Sequence, residues 1–261
     1  MALGSAVATP VQGGGRMSID VANPAQTAVS TERGVVLIRM GSASRSRLHL
    51  TPARLEALAD ALRAAAGNGD AALVLLASET REFCLGADVD RLLHAPPHQA
   101  AAYLRLGQTV MDALADLPIP VIAAVGGPAL GGGFELAMAC DFCWAAARAV
   151  FGLPECGHRL VPAWGGISAL RQRLPPATAW ELFSGQRITA RRAFELGLVG
   201  RVCDAADFIP RAIDAAAGIA TVGRDTLTAL KQLWRSTDCD KDDRPALRTC
   251  LNRVEMLRRR G

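Results

Sequence analysis

The stretch from Leu117 to Cys140 is the most apolar long run in the chain, and its only ionisable side chains are Glu135 and the thiol of Cys140. A helix that crosses a bilayer needs about 20 predominantly apolar residues in one uninterrupted run. Here Pro118, Pro120 and Pro128, with glycines at 126, 127, 131, 132 and 133, break any such helix, because proline removes a helix hydrogen bond and glycine costs backbone entropy. The stretch therefore reads as a buried strand (Val121 to Val125), a loop and the start of a helix.

The neighbouring segments build a layered α/β unit around that strand. Val35 to Met40 and Leu73 to Ala77 are short, apolar, branched runs and read as buried strands, with Phe142 to Ala146 as a further one. A helix lies between the first two: Thr51 caps it, Pro52 fits its first turn, Leu55, Leu58, Ala59 and Leu62 share one face, and Gly67 ends it. Strand, helix, strand with short loops predicts a parallel pair with a crossover helix. After Pro162 the pattern turns helical, over 165–173, 177–184, 190–196, 208–220, 226–234 and 245–258, interrupted by a strand from Leu198 to Val202. Residues 1–30 are predicted to be a flexible leader, 31–200 the core and 201–261 a helical C-terminal part that supplies oligomer contacts.

Composition narrows the function classes. The chain has 261 residues, half of them apolar and 21% charged, enough to bury a full core, so disorder, collagen and small disulfide scaffolds are excluded. A net charge of +4, carried almost wholly by arginine, is no duplex-DNA footprint, and no nucleic-acid partner is expected. The leader lacks the continuous apolar segment of a signal peptide, and seven cysteines in mostly apolar surroundings suit a reducing cytosol. A cytoplasmic protein without structural disulfides is the expectation. Cys140-Asp-Phe-Cys143 has a redox-like spacing but no partner pair of metal ligands, so neither redox nor metal chemistry is assigned to it. His94 and His98 flank Pro96-Pro97 in what reads as a mobile surface segment.

Two loops carry small residues where backbone can approach a ligand: Phe83-Cys84-Leu85-Gly86-Ala87-Asp88 and Gly127-Pro128-Ala129-Leu130-Gly131-Gly132-Gly133-Phe134-Glu135. Glycines before a helix leave free N–H groups that suit an anion or a developing oxyanion, although a tight packing turn has the same composition. Glu135 sits one turn into an apolar helix, and Glu155 follows Pro154 in an apolar loop. Burial raises the pKa of such carboxyls toward the range useful for acid and base work. A helix-start charge or a salt bridge to arginine is the alternative for each taken singly.

These residues resemble the crotonase, or enoyl-CoA hydratase/isomerase, superfamily. The resemblance rests on Phe83 to Asp88, on Pro120 to Ala137, on Phe151-Gly152-Leu153-Pro154-Glu155, on Ser184 to Ala190 and on Glu195 to Val199, and it runs from about Gly34 to Lys231. It implies a ββα spiral core with a helical C-terminal part, assembled as a trimer or a dimer of trimers. It also implies an acyl-CoA substrate, with coenzyme A part of that substrate and no other cofactor. The N–H groups of Ala87 and Gly132 correspond to an oxyanion hole for the thioester carbonyl. Glu135 and Glu155 correspond to the two glutamates of the family's hydratases, whereas its double-bond isomerases typically keep only the one at the Glu155 position. Gly86, Asp88, Gly131 and Pro154 then belong to the substrate site, and Arg45, Arg47 and Lys231 are candidates for the CoA phosphates.

Several positions depart from the family pattern. His158-Arg159 replaces Leu-Gly, Ala163-Trp164 replaces Gly-Ala, His49 replaces an alanine and Gly126 an asparagine. His158, His49 and Trp164 are expected to line the pocket, and Arg159 to lower the pKa of Glu155. Hydration of a 2-enoyl-CoA is the leading expectation. Isomerisation, thioester hydrolysis, decarboxylation and non-catalytic acyl-CoA binding are the alternatives.

Overall fold

In each central strand the buried residues divide between two faces, as a sheet covered on both sides requires. The computed structural model describes residues 17–19, 27–41, 47–78, 81–204, 206–235, 248 and 250. The chain opens with β1 (Met17–Ile19), β2 (Thr27–Glu32), β3 (Val35–Met40), α1 (Pro52–Gly67) and β4 (Leu73–Ser78). Then come α2 (Val89–His94), α3 (Pro97–Asp116), β5 (Val121–Val125), β6 (Ala129–Leu130), α4 (Gly132–Ala139), β7 (Phe142–Ala146) and β8 (Val150–Gly152). A 3-10 turn (Pro154–His158) leads to α5 (Gly166–Arg173), α6 (Pro176–Phe183), β9 (Arg187–Thr189), α7 (Ala190–Glu195), β10 (Arg201–Cys203), α8 (Phe208–Ala220) and α9 (Arg224–Arg235).

The main sheet has the order β1-β2-β3-β4-β5-β7-β10, antiparallel at β1/β2/β3 and parallel from β3 onward. A second sheet, β6-β8-β9, stands over the loops that follow β4 and β5. One face of the main sheet presents Val36, Ile38, Val74, Leu76, Val121 and Ala123 to the core shared with Leu55, Leu58, Leu62, Val110 and Leu114 of α1 and α3. The other presents Val35, Leu37, Leu73, Leu75, Ile122 and Trp144 to the alanine face of α8 (Ala212, Ala216, Ala220). The Thr51 hydroxyl accepts from the Arg54 N–H and caps α1, as its sequence predicts.

Three expectations are corrected. Residues 1–30, read as a flexible leader, contain β1 and most of β2, both paired into the main sheet, and the strand expected over Leu198 to Val202 lies at Arg201–Cys203 as β10, inside the part read as helical from 201. The segment around Pro96-Pro97 read as mobile is the end of α2 and the start of α3, where Pro97 occupies a first-turn position that needs no N–H donor. Residues 1–16 and most of the helix expected over 245–258 lie outside the described residues. No described helix is long and apolar enough to cross a membrane.

Lys231 is not near the site. It is 7% exposed, and its Nζ lies 2.8 Å from Asp141 Oδ2 and donates to the carbonyls of Ile119 (3.1 Å) and Leu114 (3.4 Å). It thus pins α9 to the turn between α3 and β5, and its ammonium is occupied by these partners. Arg235 reaches the other oxygen of Asp141 at 2.9 Å. Without Lys231, Asp141 keeps Arg235 and the Val121 N–H, but the buried carbonyls of Leu114 and Ile119 lose their donor. Lys231→Ala is expected to destabilise the fold by about 1–2 kcal/mol in denaturant titration, with weaker α9 docking and no specific change in ligand affinity. A cost below about 0.5 kcal/mol would show the pair to be dispensable.

Candidate active site

The loop after β4 is held like a short strand between two other segments. The N–H groups of Phe83 and Cys84 donate to the Pro128 carbonyl (2.9 and 3.1 Å), Leu130 N–H to Cys84 O (2.9 Å), Leu85 N–H to Leu48 O (2.8 Å) and Leu50 N–H to Gly86 O (2.8 Å). Gly86 then turns the chain at φ +86°, and a Cβ built there would stand 2.6 Å from Gly132 N and 2.8 Å from Leu130 O. This residue does not line the cavity; its missing side chain is what lets the Ala87 loop and the start of α4 meet. Tyr103 holds the loop from α3, its hydroxyl accepting from the Asp88 N–H (2.9 Å) and donating to the Leu50 carbonyl.

On the facing loop, Gly131 (φ +53°) starts α4, donates to Gly152 O (2.9 Å) and accepts from the N–H groups of Phe134 and Glu135. The result is a pair of neighbouring backbone N–H groups, on Ala87 and Gly132, with no acceptor among the described residues and with both residues lining one cavity of about 760 Å³. Unpaired donors at a helix start favour negative charge.

Glu135 and Glu155 face the same cavity. Glu135 is 4% exposed, and its Oε1 accepts from the N–H groups of Trp164 and Gly166, each at 2.8 Å. This carboxyl is raised to about 7, chiefly by burial, with the two N–H bonds pulling it down and Glu155 adding to the rise. Glu155, carried on the 3-10 turn, is also raised, chiefly by burial, and its Oε2 is buried without a hydrogen-bond partner. Arg159 does not lower it as the sequence suggests. The backbone turns left-handed at Arg159 (φ +59°), its side chain is exposed, and no ion pair joins it to Glu155 among the described residues.

The cavity also gathers Arg47, His49, Asp88, Gly131, Pro154, His158 and Trp164, all expected there. His49 brings a buried Nδ1 without a partner. Arg45 lies outside the described residues. The reading of single residues missed Arg187, which lines the cavity from β9, and the apolar wall of Leu92, Leu104, Leu160 and Val161. Arg187 lies within the Ser184 to Ala190 motif, which is its one signal in the sequence, and in the structure it pairs with Gly152 of β8. The thiols of Cys140 and Cys143 are buried, donate to the carbonyls of Leu136 and Trp144, and are pushed well above the usual thiol range by burial.

The enoyl-CoA hydratase/isomerase family pattern matches residues 30–249. The chain belongs to this family. A crotonyl-CoA hydratase of Syntrophomonas wolfei is 37% identical over 153 residues, 58% of this chain and 59% of the relative. A carnitinyl-CoA dehydratase of Proteus mirabilis is 38% identical over 167 residues, 63% of each chain. The match thus spans about three fifths of the length of these curated relatives. Over most of its length the chain superposes on the crystal structure of an enoyl-CoA hydratase from Bacillus anthracis, with a TM-score of 0.79, 32% identity and coverage of 88% of this chain and 90% of that one. The crotonase-like α/β fold expected from the motifs is therefore the fold observed.

Proposed function

We propose that the protein adds water across the 2,3 double bond of a 2-enoyl-CoA thioester to give the 3-hydroxyacyl-CoA. The observation that carries this is the convergence of two buried carboxyl groups and two unpaired backbone N–H groups on one cavity. Two relatives named for the gain or loss of water, a crotonyl-CoA hydratase and a carnitinyl-CoA dehydratase, support the same reading.

The steps follow from the local partners of each group. The thioester carbonyl takes the N–H groups of Ala87 and Gly132, which withdraws electrons from C3. The two N–H bonds on Oε1 favour the charged form of Glu135, so it accepts a proton from water while the water oxygen bonds to C3. The π electrons move onto the thioester oxygen, where the two N–H donors hold the enolate. The bare oxygen of Glu155 favours the protonated form, and its proton goes to C2 as the carbonyl reforms. One water is added, and a proton passed from Glu135 to Glu155 resets the pair. Arg47 and Arg187, which line the cavity, are the groups this reading assigns to the CoA phosphates.

A panel of 2-enoyl-CoA thioesters followed by loss of the conjugated thioester absorbance tests the reading. Binding of the panel without any absorbance change would move the protein to the non-catalytic alternative. The pH profile gives a second check. Because Glu135 must be ionised and its carboxyl lies at about 7, kcat/KM is expected to rise with pH through that region. Below it the rate should fall by about tenfold per unit. A profile flat between pH of about 5 and 9 would contradict a carboxyl base.

A further inference from the structure

The back of the front cavity is closed by an indole ring that two glycines make room for. A Cβ on Gly107 in α3, or on Gly132 in α4, would overlap the Trp164 ring. The ring is 2% exposed, stands edge-on to Tyr103 (centroids 6.0 Å apart) and donates from Nε1 to the Leu104 carbonyl at 3.0 Å. It is therefore fixed on three sides and not a mobile flap. It also borders a second cavity of about 900 Å³, where Met111, Met138, Ala139 and Ala169 stand among the charged and polar Asp112, Asp141, Gln172, Arg173 and Arg235. Among the described residues Trp164 and Glu135 alone line both cavities.

From this arrangement we propose that the Trp164 indole sets the acyl length the site accepts, limiting it to short chains by separating the front cavity from the rear one. The proposal rests on the acyl-CoA reading above. A thioester held by the Gly132 N–H begins its acyl chain beside the ring that packs on Gly132. With C2 and C3 between Glu135 and Glu155, the carbons beyond C3 meet the indole, which stands between them and the second cavity. Truncating the ring joins the two cavities and offers a longer chain the methionine and alanine walls behind. The backbone N–H of Trp164 that holds Glu135 is untouched by that change. Each methylene that gains apolar cover is worth roughly fourfold in affinity.

The test uses butyryl-CoA and decanoyl-CoA, saturated thioesters with no double bond to hydrate, titrated calorimetrically into wild type, Trp164→Ala and Trp164→Phe. Wild type is expected to bind butyryl-CoA at least tenfold more tightly than decanoyl-CoA. Trp164→Ala should shift that ratio at least tenfold toward decanoyl-CoA, with Trp164→Phe between the two. Equal binding of both thioesters by wild type, or a ratio unchanged within twofold in the alanine variant, overturns the proposal. If circular dichroism shows the alanine variant unfolded, the wild-type ratio and the phenylalanine variant decide. A shifted ratio without hydration of any enoyl-CoA removes the hydratase reading and leaves the wall. Hydration without length discrimination removes the wall alone.

Discussion

Glu135→Gln and Glu155→Gln each lower turnover by about two to four orders of magnitude, the span of a lost general acid or base, while CoA-thioester affinity changes far less. Glutamine keeps the shape of both side chains, and at position 135 its carbonyl oxygen still accepts the N–H groups of Trp164 and Gly166. What it loses is the ability to take or give a proton. The double variant is expected to be about as slow as the slower single one, because the two carboxyls act on the same proton balance. Steady-state kinetics with a thioester-binding titration on the same samples checks this. A Glu135→Gln enzyme within threefold of wild type would remove the base from the account and favour an isomerase-like use of Glu155 alone.

Gly86→Ala has the next largest effect, a loss of about 10²–10³ in kcat/KM, the cost of one misplaced oxyanion donor. The alanine methyl would press on the Gly132 N and the Leu130 carbonyl at 2.6 and 2.8 Å, at a residue whose φ of +86° already disfavours any side chain. The strain shows separately as a lower Tm, so activity is compared only where circular dichroism reports a folded sample. Cys140→Ser with Cys143→Ser is the matched control and should keep activity within a few fold, because both thiols are buried away from the cavity. Wild-type turnover by folded Gly86→Ala, or a collapse of activity in the folded double serine variant, would contradict the placement of the chemistry.

The parts of the fold legible in the sequence are those where burial and local pattern agree. β3, β4, β5 and β7 lie under helices on both faces, so each is almost wholly apolar, Arg39 of β3 and Ser78 at the end of β4 being the polar residues among them. The short strands β6, β8 and β9 have two or three residues each, too few to show a period, and exist because the neighbouring loops pair with them. α3 was hidden by Pro96-Pro97 and two histidines, although a proline at the first helical position is favourable. In the site, motif order located Glu135, Glu155, Ala87 and Gly132 on one cavity. Charge alone misled at Lys231, whose ammonium turns inward to Asp141, and at Arg159, whose side chain is exposed and makes no ion pair with Glu155 among the described residues. Neither direction is written in residue type, because both depend on packing between segments distant in the chain.

The most direct measurement is the product formed from crotonyl-CoA in deuterated water, read by mass spectrometry. The account predicts a 3-hydroxybutyryl-CoA that has gained one water, with one deuterium bound to C2. That pattern joins attack at C3 to proton delivery at C2 by the Glu135 and Glu155 pair. Recovery of a thioester of unchanged mass with its double bond moved, or of free coenzyme A, would contradict it.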